Sequence, residues 1–317
     1  MNVLVIVEHD RGTLSPATLE AVAAARQIGS VHAATMGTAA DALVEQLAAH
    51  GVSVVHQVHH DLLGDYGPEA WGEAAAQLIS SLSPDAVVAT GTDRGNEVLA
   101  HIGAILDAPM VANCTEIEAA DGPWRLVRTR WGGSLLERCE LTATIKLLTV
   151  AHHAVEASEA PASARTVGFS PVLDPSLARS IVVDRVERAA GVTLATAPVV
   201  IGGGRGVGSP EGFAPLEELA GLLGGVVGCS RAVTNNGWRN HTDQVGQTGT
   251  RIAPDIYFAC GISGAIQHWV GAMASKKILA INTDSEANMV TRADYAVIGD
   301  LHKVVPAIVA EVRRRRP

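Results

Sequence analysis

Three glycine-bearing turns and a small set of polar residues hold the chemistry legible in this chain. The most informative is Gly261-Ile262-Ser263-Gly264-Ala265-Ile266-Gln267-His268, which follows the apolar run 256–260. Such a run reads as a buried parallel strand, so the block sits where a strand hands over to a helix. Free backbone N–H groups and the positive end of a helix dipole converge there on an anion. Gly261 and Gly264 let the backbone approach a phosphate, and Ser263 is placed to cap the helix and donate a hydroxyl. Gln267 and His268 lie one helical turn past Gly264, within reach of a ligand part beyond the phosphate.

Gly202-Gly203-Gly204-Arg205-Gly206-Val207-Gly208 is a second strand-to-helix turn. It is neither a Walker loop nor a Rossmann fingerprint, but the guanidinium fork of Arg205 suits phosphate oxygens. Ser230 and Arg231 end another strand, and ligands gather beyond the C-terminal ends of parallel strands. Gln244-Val245-Gly246-Gln247-Thr248-Gly249 offers amide, hydroxyl and backbone donors for a heteroaromatic ring edge, or else forms an ordinary turn. Asn282 ends a strand, and Asp300 either caps the last helix or contacts a ligand hydroxyl.

No paired carboxylates lie among these residues, and Ser263 with His268 is a poor hydrolytic dyad because no carboxylate orients the pair. The four cysteines, Cys114, Cys139, Cys229 and Cys260, form no Cys-x-x-Cys pair, which argues against an iron–sulfur cluster or zinc knuckle. They read as reduced, buried thiols. No catalytic residue and no metal ligand is assigned. Two arginines, hydroxyls, amides and one histidine suit a large phosphorylated cofactor that carries its own chemistry.

The elements that position these residues alternate strand and helix. Strands are expected over 3–7, 31–36, 52–58 and 84–91, with helices over 16–27, 39–50, 70–82 and 96–106. Between 110 and 150 the pattern changes to strands over 124–131 and 145–150, which predicts an antiparallel or hairpin extension. Residues 155–178, rich in Ala, Ser and Pro, read with 189–198 as linker around a short strand at 181–186. A second α/β unit follows, with strands over 199–201, 226–227, 256–260, 278–281 and 296–298. Its helices cover 216–223 and 301–314, and a polar loop covers 230–250. The fold class is α/β: two doubly wound domains with largely parallel sheets, the C-terminal one holding the cofactor. The domains are residues 1–188 and 198–317, joined by a linker over 189–197.

The chain of 317 residues is 47% hydrophobic and 18% charged, so it can bury a sizeable core. Its net charge of −9 argues against nucleic-acid binding. The basic block Arg313–Arg316 reads as a solvated helix end. No apolar run reaches membrane-spanning length and no signal peptide opens the chain, so a cytoplasmic protein is the default expectation.

Taken with Gly203-Gly204-Arg205-Gly206, Ser230-Arg231-Ala232, the 244–249 loop, Ala293-Asp294-Tyr295 and Gly299-Asp300-Leu301 in order, the 256–268 block resembles the electron transfer flavoprotein alpha subunit family. The first domain matches more loosely, through Val7-Glu8-His9, Gly12 and Leu14. The resemblance implies FAD in the second domain and a heterodimer with a beta subunit. It also implies donor dehydrogenases and a membrane quinone oxidoreductase or similar acceptor. Arg205, Ser230, Asn282, Asp300 and Leu301 would then bind the adenosine, phosphate or ribityl portions. Val245, Gly246, Gln247 and Thr248 would line the isoalloxazine and ribityl parts, with Thr248 near N5. Ser263, Gly264, Ala265, Ile266, Gln267 and His268 would grip the pyrophosphate and ribityl chain, with His268 reaching the O2 side. Arg231 would lie over the ring, where its charge, like a His268 that is protonated or donates to O2, favours the reduced anionic flavin. The chain departs from the family pattern at Asn235-Asn236-Gly237, Thr250, Thr283 and Asn288, positions that bear on redox potential and partner contacts. The alternative reading is an FAD- or nucleotide-binding regulatory module that no longer transfers electrons.

Overall fold

A computed structural model describes residues 1–184 and 192–315. Among these, 1–130 and 135–184 form one compact unit, and 131–134 with 192–315 form another.

The first unit runs β1 (Asn2–Ile6), β2 (His9–Asp10), β3 (Thr13–Leu14), α1 (Pro16–Ile28), β4 (Ser30–Met36), α2 (Val44–Ala48), β5 (Val52–Val58), α3 (Pro68–Leu82), β6 (Ala86–Thr90), α4 (Asp93–Ile105), β7 (Met110–Glu118), β8 (Trp124–Arg130), β9 (Leu135–Leu141), β10 (Lys146–Val150) and β11 (Arg165–Phe169). Nine strands make one sheet in the order β11-β5-β4-β1-β6-β10-β7-β8-β9. Only β7-β8 and β8-β9 pair antiparallel, the extension that the sequence predicts. Strand side chains alternate between faces, and the cores follow that period. Val3, Val5 and Val7 join one core, whereas Leu4 and Ile6 join the other. Helix α1 opens on Pro16, where a missing N–H costs nothing, and buries Ala17, Ala21, Val22, Ala24 and Ala25.

Three expectations need correction. Residues 165–169 are not linker but the edge strand β11, parallel to β5. Its side chains are exposed or half-buried, so ladder hydrogen bonds hold it and hydropathy does not reveal it. The helix expected over 39–50 is a 3₁₀ turn, Thr38–Leu43, followed by the short α2. Residues 181–184 are irregular, and the rest of the strand expected there, 185–186, lies outside the described residues.

The second unit runs β12 (Val199–Gly203), α5 (Ala214–Leu223), β13 (Val226–Cys229), α6 (Arg231–Asn235), β14 (Ile256–Cys260), α7 (Ile266–Ala272), β15 (Ile278–Asn282), α8 (Asn288–Arg292), β16 (Tyr295–Ile298) and α9 (Leu301–Arg315). Its five strands are all parallel in the order β13-β12-β14-β15-β16. The chain steps from β12 to β13 on one side and returns to β14 on the other. This creates a switch point between β12 and β14, where an open α/β sheet binds its ligand. Ile201, Phe258, Cys260 and Ile281 face one core, and Val200, Tyr257, Ala259 and Ala280 the other. No helix of the described residues is long and apolar enough to cross a membrane. In the last turn of α9, Arg314 and Arg315 pair with Glu311. Arg316 lies outside the described residues.

All four cysteines are free thiols. Burial pushes Cys114, Cys229 and Cys260 each up to about 12. Since the thiolate is the reactive form, iodoacetamide at neutral pH is expected to leave these three unlabelled in the folded protein. Mass spectrometry should find them alkylated only after unfolding.

Candidate functional site

The C-terminal ends of β12, β13, β14 and β15 open into one cavity of about 430 Å³. That lies within the roughly 300–1,000 Å³ typical of ligand pockets. Its wall contains Arg205, Ser230, Arg231, Val245, Gly246, Gln247, Thr248, Ser263, Gly264, Ala265, Gln267, His268 and Asn282. The structure therefore brings together thirteen of the sixteen residues singled out from the sequence.

The remaining three lie elsewhere. Ile266 belongs to the block but is not on the wall. Asp300 accepts the His302 N–H at 2.9 Å and caps α9, and Leu301 is buried in the core beneath Gly261. Ser263 is on the wall but does not cap α7, because the cap position is Ala265 and no side chain bonds there. The Ser263 carbonyl instead accepts the Met289 N–H at 3.2 Å.

Backbone approach shapes the floor. Gly261 has φ 62°, and a Cβ there would come within 2.9 Å of the Gly206 Cα. The two glycine turns thus pack against each other, with the Gly206 N–H donating to the Gly261 carbonyl at 3.1 Å. A side chain at either position would push the two turns apart and so distort the floor of the cavity.

The 244–248 loop folds over α7. The Gln247 N–H donates to the Gln267 carbonyl at 2.8 Å. Gln244 is buried between two hydroxyls, with Oε1 2.8 Å from Thr234 and Nε2 2.9 Å from Thr248. With that amide donating to Thr248 Oγ1, the Thr248 proton is left to point elsewhere. Gln244 thus positions Thr248, a role the sequence places no closer than the same loop. Asp284 also reaches the wall, through a turn in which its N–H donates to Asn282 Oδ1 at 3.1 Å. The Asn282 amide donates to the Ile262 carbonyl at 3.1 Å, so its side chain braces the two strand ends.

His268 is buried, and Tyr257 lies beneath it with its hydroxyl 2.8 Å from Nε2. Burial pulls the imidazole down to about 4, against the opposing pull of the Val245 carbonyl. Burial also holds the Tyr257 phenol protonated, well above its ordinary range. His268 is therefore neutral at physiological pH, which leaves the donor and removes the cation of the two roles considered from sequence. Its Nδ1 makes no well-formed hydrogen bond and has the Val245 carbonyl as a weak neighbour. When the phenol donates to Nε2, the ring proton sits on Nδ1, which is then a donor. Arg205 and Arg231 are exposed, and neither forms an ion pair among the described residues. The wall thus combines two available cations, glycine-lined backbone, hydroxyls, amides and one buried imidazole, a set that fits the phosphates and ring edge of a dinucleotide.

Comparison with known proteins agrees with this chemistry. Residues 3–172 match the family model of the electron transfer flavoprotein domain. Residues 193–273 match that of the electron transfer flavoprotein FAD-binding domain. The electron transfer flavoprotein subunit alpha of Bacillus subtilis is 34% identical over 98% of this chain and 97% of its own. That of Mycobacterium tuberculosis is 34% identical over 99% of both chains. That of Paracoccus denitrificans is 36% identical over 98% of this chain and all of its own. Parallel sheets, a switch-point cavity and near full-length relatives all agree: the chain belongs to the electron transfer flavoprotein alpha subunit family, with the FAD-binding domain at its C-terminal end.

Proposed function

We propose that this chain, paired with a beta subunit, holds FAD in the β12–β15 cavity and carries electrons from dehydrogenases to a quinone oxidoreductase or similar acceptor. The observation that carries the reading is one cavity walled by two available arginines, glycine turns and the buried His268. FAD supplies the redox chemistry; the protein orients it and sets its electrostatics.

Arg205, Ser230 and the 263–265 backbone take the phosphates, with Asn282 bracing that floor. Gln267 contacts the ribityl chain. Val245, Gly246 and Gln247 line the ring, and Thr248, held by Gln244, directs its hydroxyl at N5. His268 donates from Nδ1 toward the ring's O2 side, in the tautomer that Tyr257 selects. Arg231 supplies the positive charge beside the ring. Asp300, which also starts α9, and Leu301, which also seats Gly261, contact the adenosine, phosphate or ribityl portions, and Ile266 contributes through the block that grips the pyrophosphate.

Co-purification with the partner and a flavin spectrum test the reading, and a heterodimer without bound flavin would contradict it. Flavin that binds but is reduced by no donor dehydrogenase would favour the regulatory module instead. Arg231→Ala should keep FAD bound and lower its midpoint potential. A unit charge near a unit charge in a water-like medium contributes about 1 kcal/mol, or roughly 40 mV per electron. Spectroelectrochemical titration reads the shift, and an unchanged potential removes Arg231 from the ring.

A further inference from the structure

A separate cluster lies in the first unit, where Glu20 on α1 faces the turn that follows β10. Residues Ala151–Ala154 close that turn, with the Ala154 N–H donating to the Ala151 carbonyl at 3.0 Å. His152 and His153 are its central residues, and His153 has φ 63°. Positive φ at the third position of such a turn ordinarily calls for Gly or Asn. In an extended chain, consecutive side chains point to opposite sides. Here the left-handed residue turns both imidazoles to one side, with ring centroids 3.6 Å apart. Both Nδ1 atoms face one carboxylate: His152 Nδ1 is 3.3 Å from Glu20 Oε2, and His153 Nδ1 is 3.2 Å from Oε1.

Those distances lie at the long end of a hydrogen bond, although against the upward push of burial both imidazoles hold the Glu20 carboxyl down at about 2. A charge-assisted N–H···O⁻ bond spans about 2.7–2.9 Å. Elsewhere in this chain His59 and Asp41 meet at 2.8 Å. A tetrahedral zinc ion with bonds of about 2.0–2.1 Å spaces its ligand atoms about 3.3 Å apart. The His153 N–H donates to Glu20 Oε2 at 2.7 Å and fixes the carboxylate. The His153 Nε2 is buried with no partner. The left-handed backbone at His153 is a cost that a plain ion pair does not require. Among the described residues, these three are the group whose ligand atoms converge for a metal ion. Their side chains are 12%, 22% and 14% exposed for Glu20, His152 and His153, so an ion can reach them from solvent.

We propose that Glu20, His152 and His153 bind a divalent first-row metal ion of the zinc type, clipping α1 to the turn after β10. Two imidazole nitrogens and one carboxylate oxygen are the borderline donors that zinc prefers, and three protein ligands leave one position for water. The clip is independent of the flavin site, since its residues are all in the first unit.

The test uses the full-length, tag-free chain with its flavin, freed of metal by a chelator and titrated with zinc chloride by calorimetry. One equivalent is expected to bind, with zinc-edge X-ray absorption showing a nitrogen and oxygen shell at about 2.0–2.1 Å. Glu20→Gln, and separately His152→Ala with His153→Ala, should each weaken binding at least tenfold. Zinc should raise the melting temperature of the parent chain and not that of the variants. If the double variant does not fold, the near-isosteric Glu20→Gln decides alone. Zinc binding unchanged in the variants, or no binding tighter than about 0.1 mM in the parent chain, overturns the proposal.

Discussion

Gly271→Ala is expected to strip the second domain of its flavin and to destabilise it. Gly271 sits in α7, and a Cβ there would lie 2.3 Å from the Gly246 Cα and 2.4 Å from its nitrogen. Both obstacles are backbone, so no rotamer change relieves the clash. The loop is tied to the same helix, because the Ile252 N–H donates to the Gly271 carbonyl at 2.8 Å. Relief therefore requires moving the strand of loop that carries Val245, Gly246, Gln247 and Thr248. Overpacking of this kind costs about 1–3 kcal/mol. Flavin retention should fall at least tenfold, because the ring loses the loop that lines it. The flavin-to-protein absorbance ratio after gel filtration, and guanidinium unfolding, measure the two effects. Gly221→Ala in α5 is the control: nothing lies within 4 Å of its Cβ. There the change should be neutral or stabilise by about 0.4–1 kcal/mol. Equal flavin content in the two variants would show that α7 and the loop do not need that contact.

Stability of the flavin-free chain should fall as pH drops below the ordinary histidine range, and His268 should account for a definable part. Burial lowers this imidazole from 6.5 to about 4. The unfolded chain then takes up a proton at a pH where the folded chain does not. The contribution is fully present above pH 6.5, declines as pH falls toward 4, and is absent below that. The full shift corresponds to about 3 kcal/mol. His268→Gln keeps a polar group near Tyr257 but does not titrate, so it should lack this slope. The stability gap between parent and variant, by urea unfolding from neutral pH to about pH 4.5, should therefore narrow steadily. His56, also lowered to about 4 by burial, is present in both proteins and cancels. A gap independent of pH would mean that His268 is not buried as found.

Much of the site was legible because it lies on short, contiguous motifs. The 261–268 block, the 202–208 turn and the 244–249 loop each declare themselves by glycine spacing and polar content. Parallel strands then bring their ends together, so adjacency on one sheet edge follows from the strand–helix rhythm. What stayed hidden depends on partners distant in sequence. Asp300 carries the same side chain whether it caps α9 or meets a ligand, and only the folded chain shows its Oδ1 taking the His302 N–H at 2.9 Å, a bond that does not occupy its second oxygen. Gln244 is one amide among several until Thr234 and Thr248 are seen on either side of it. Strands β7, β9 and β11 are not evident in the sequence because most of their side chains are exposed or half-buried and lack the apolar alternation that marks a packed face.

By itself, the sequence determined the α/β class, the cofactor-binding half and the set of turns that meet there, because all three are written in local period and composition. Tertiary structure alone decided which of those residues reach the cavity, that His268 is neutral, and that Glu20 meets two histidines 132 and 133 residues away. Burial and through-space distance are properties of the packed chain, and no window of sequence contains both sides of such a contact.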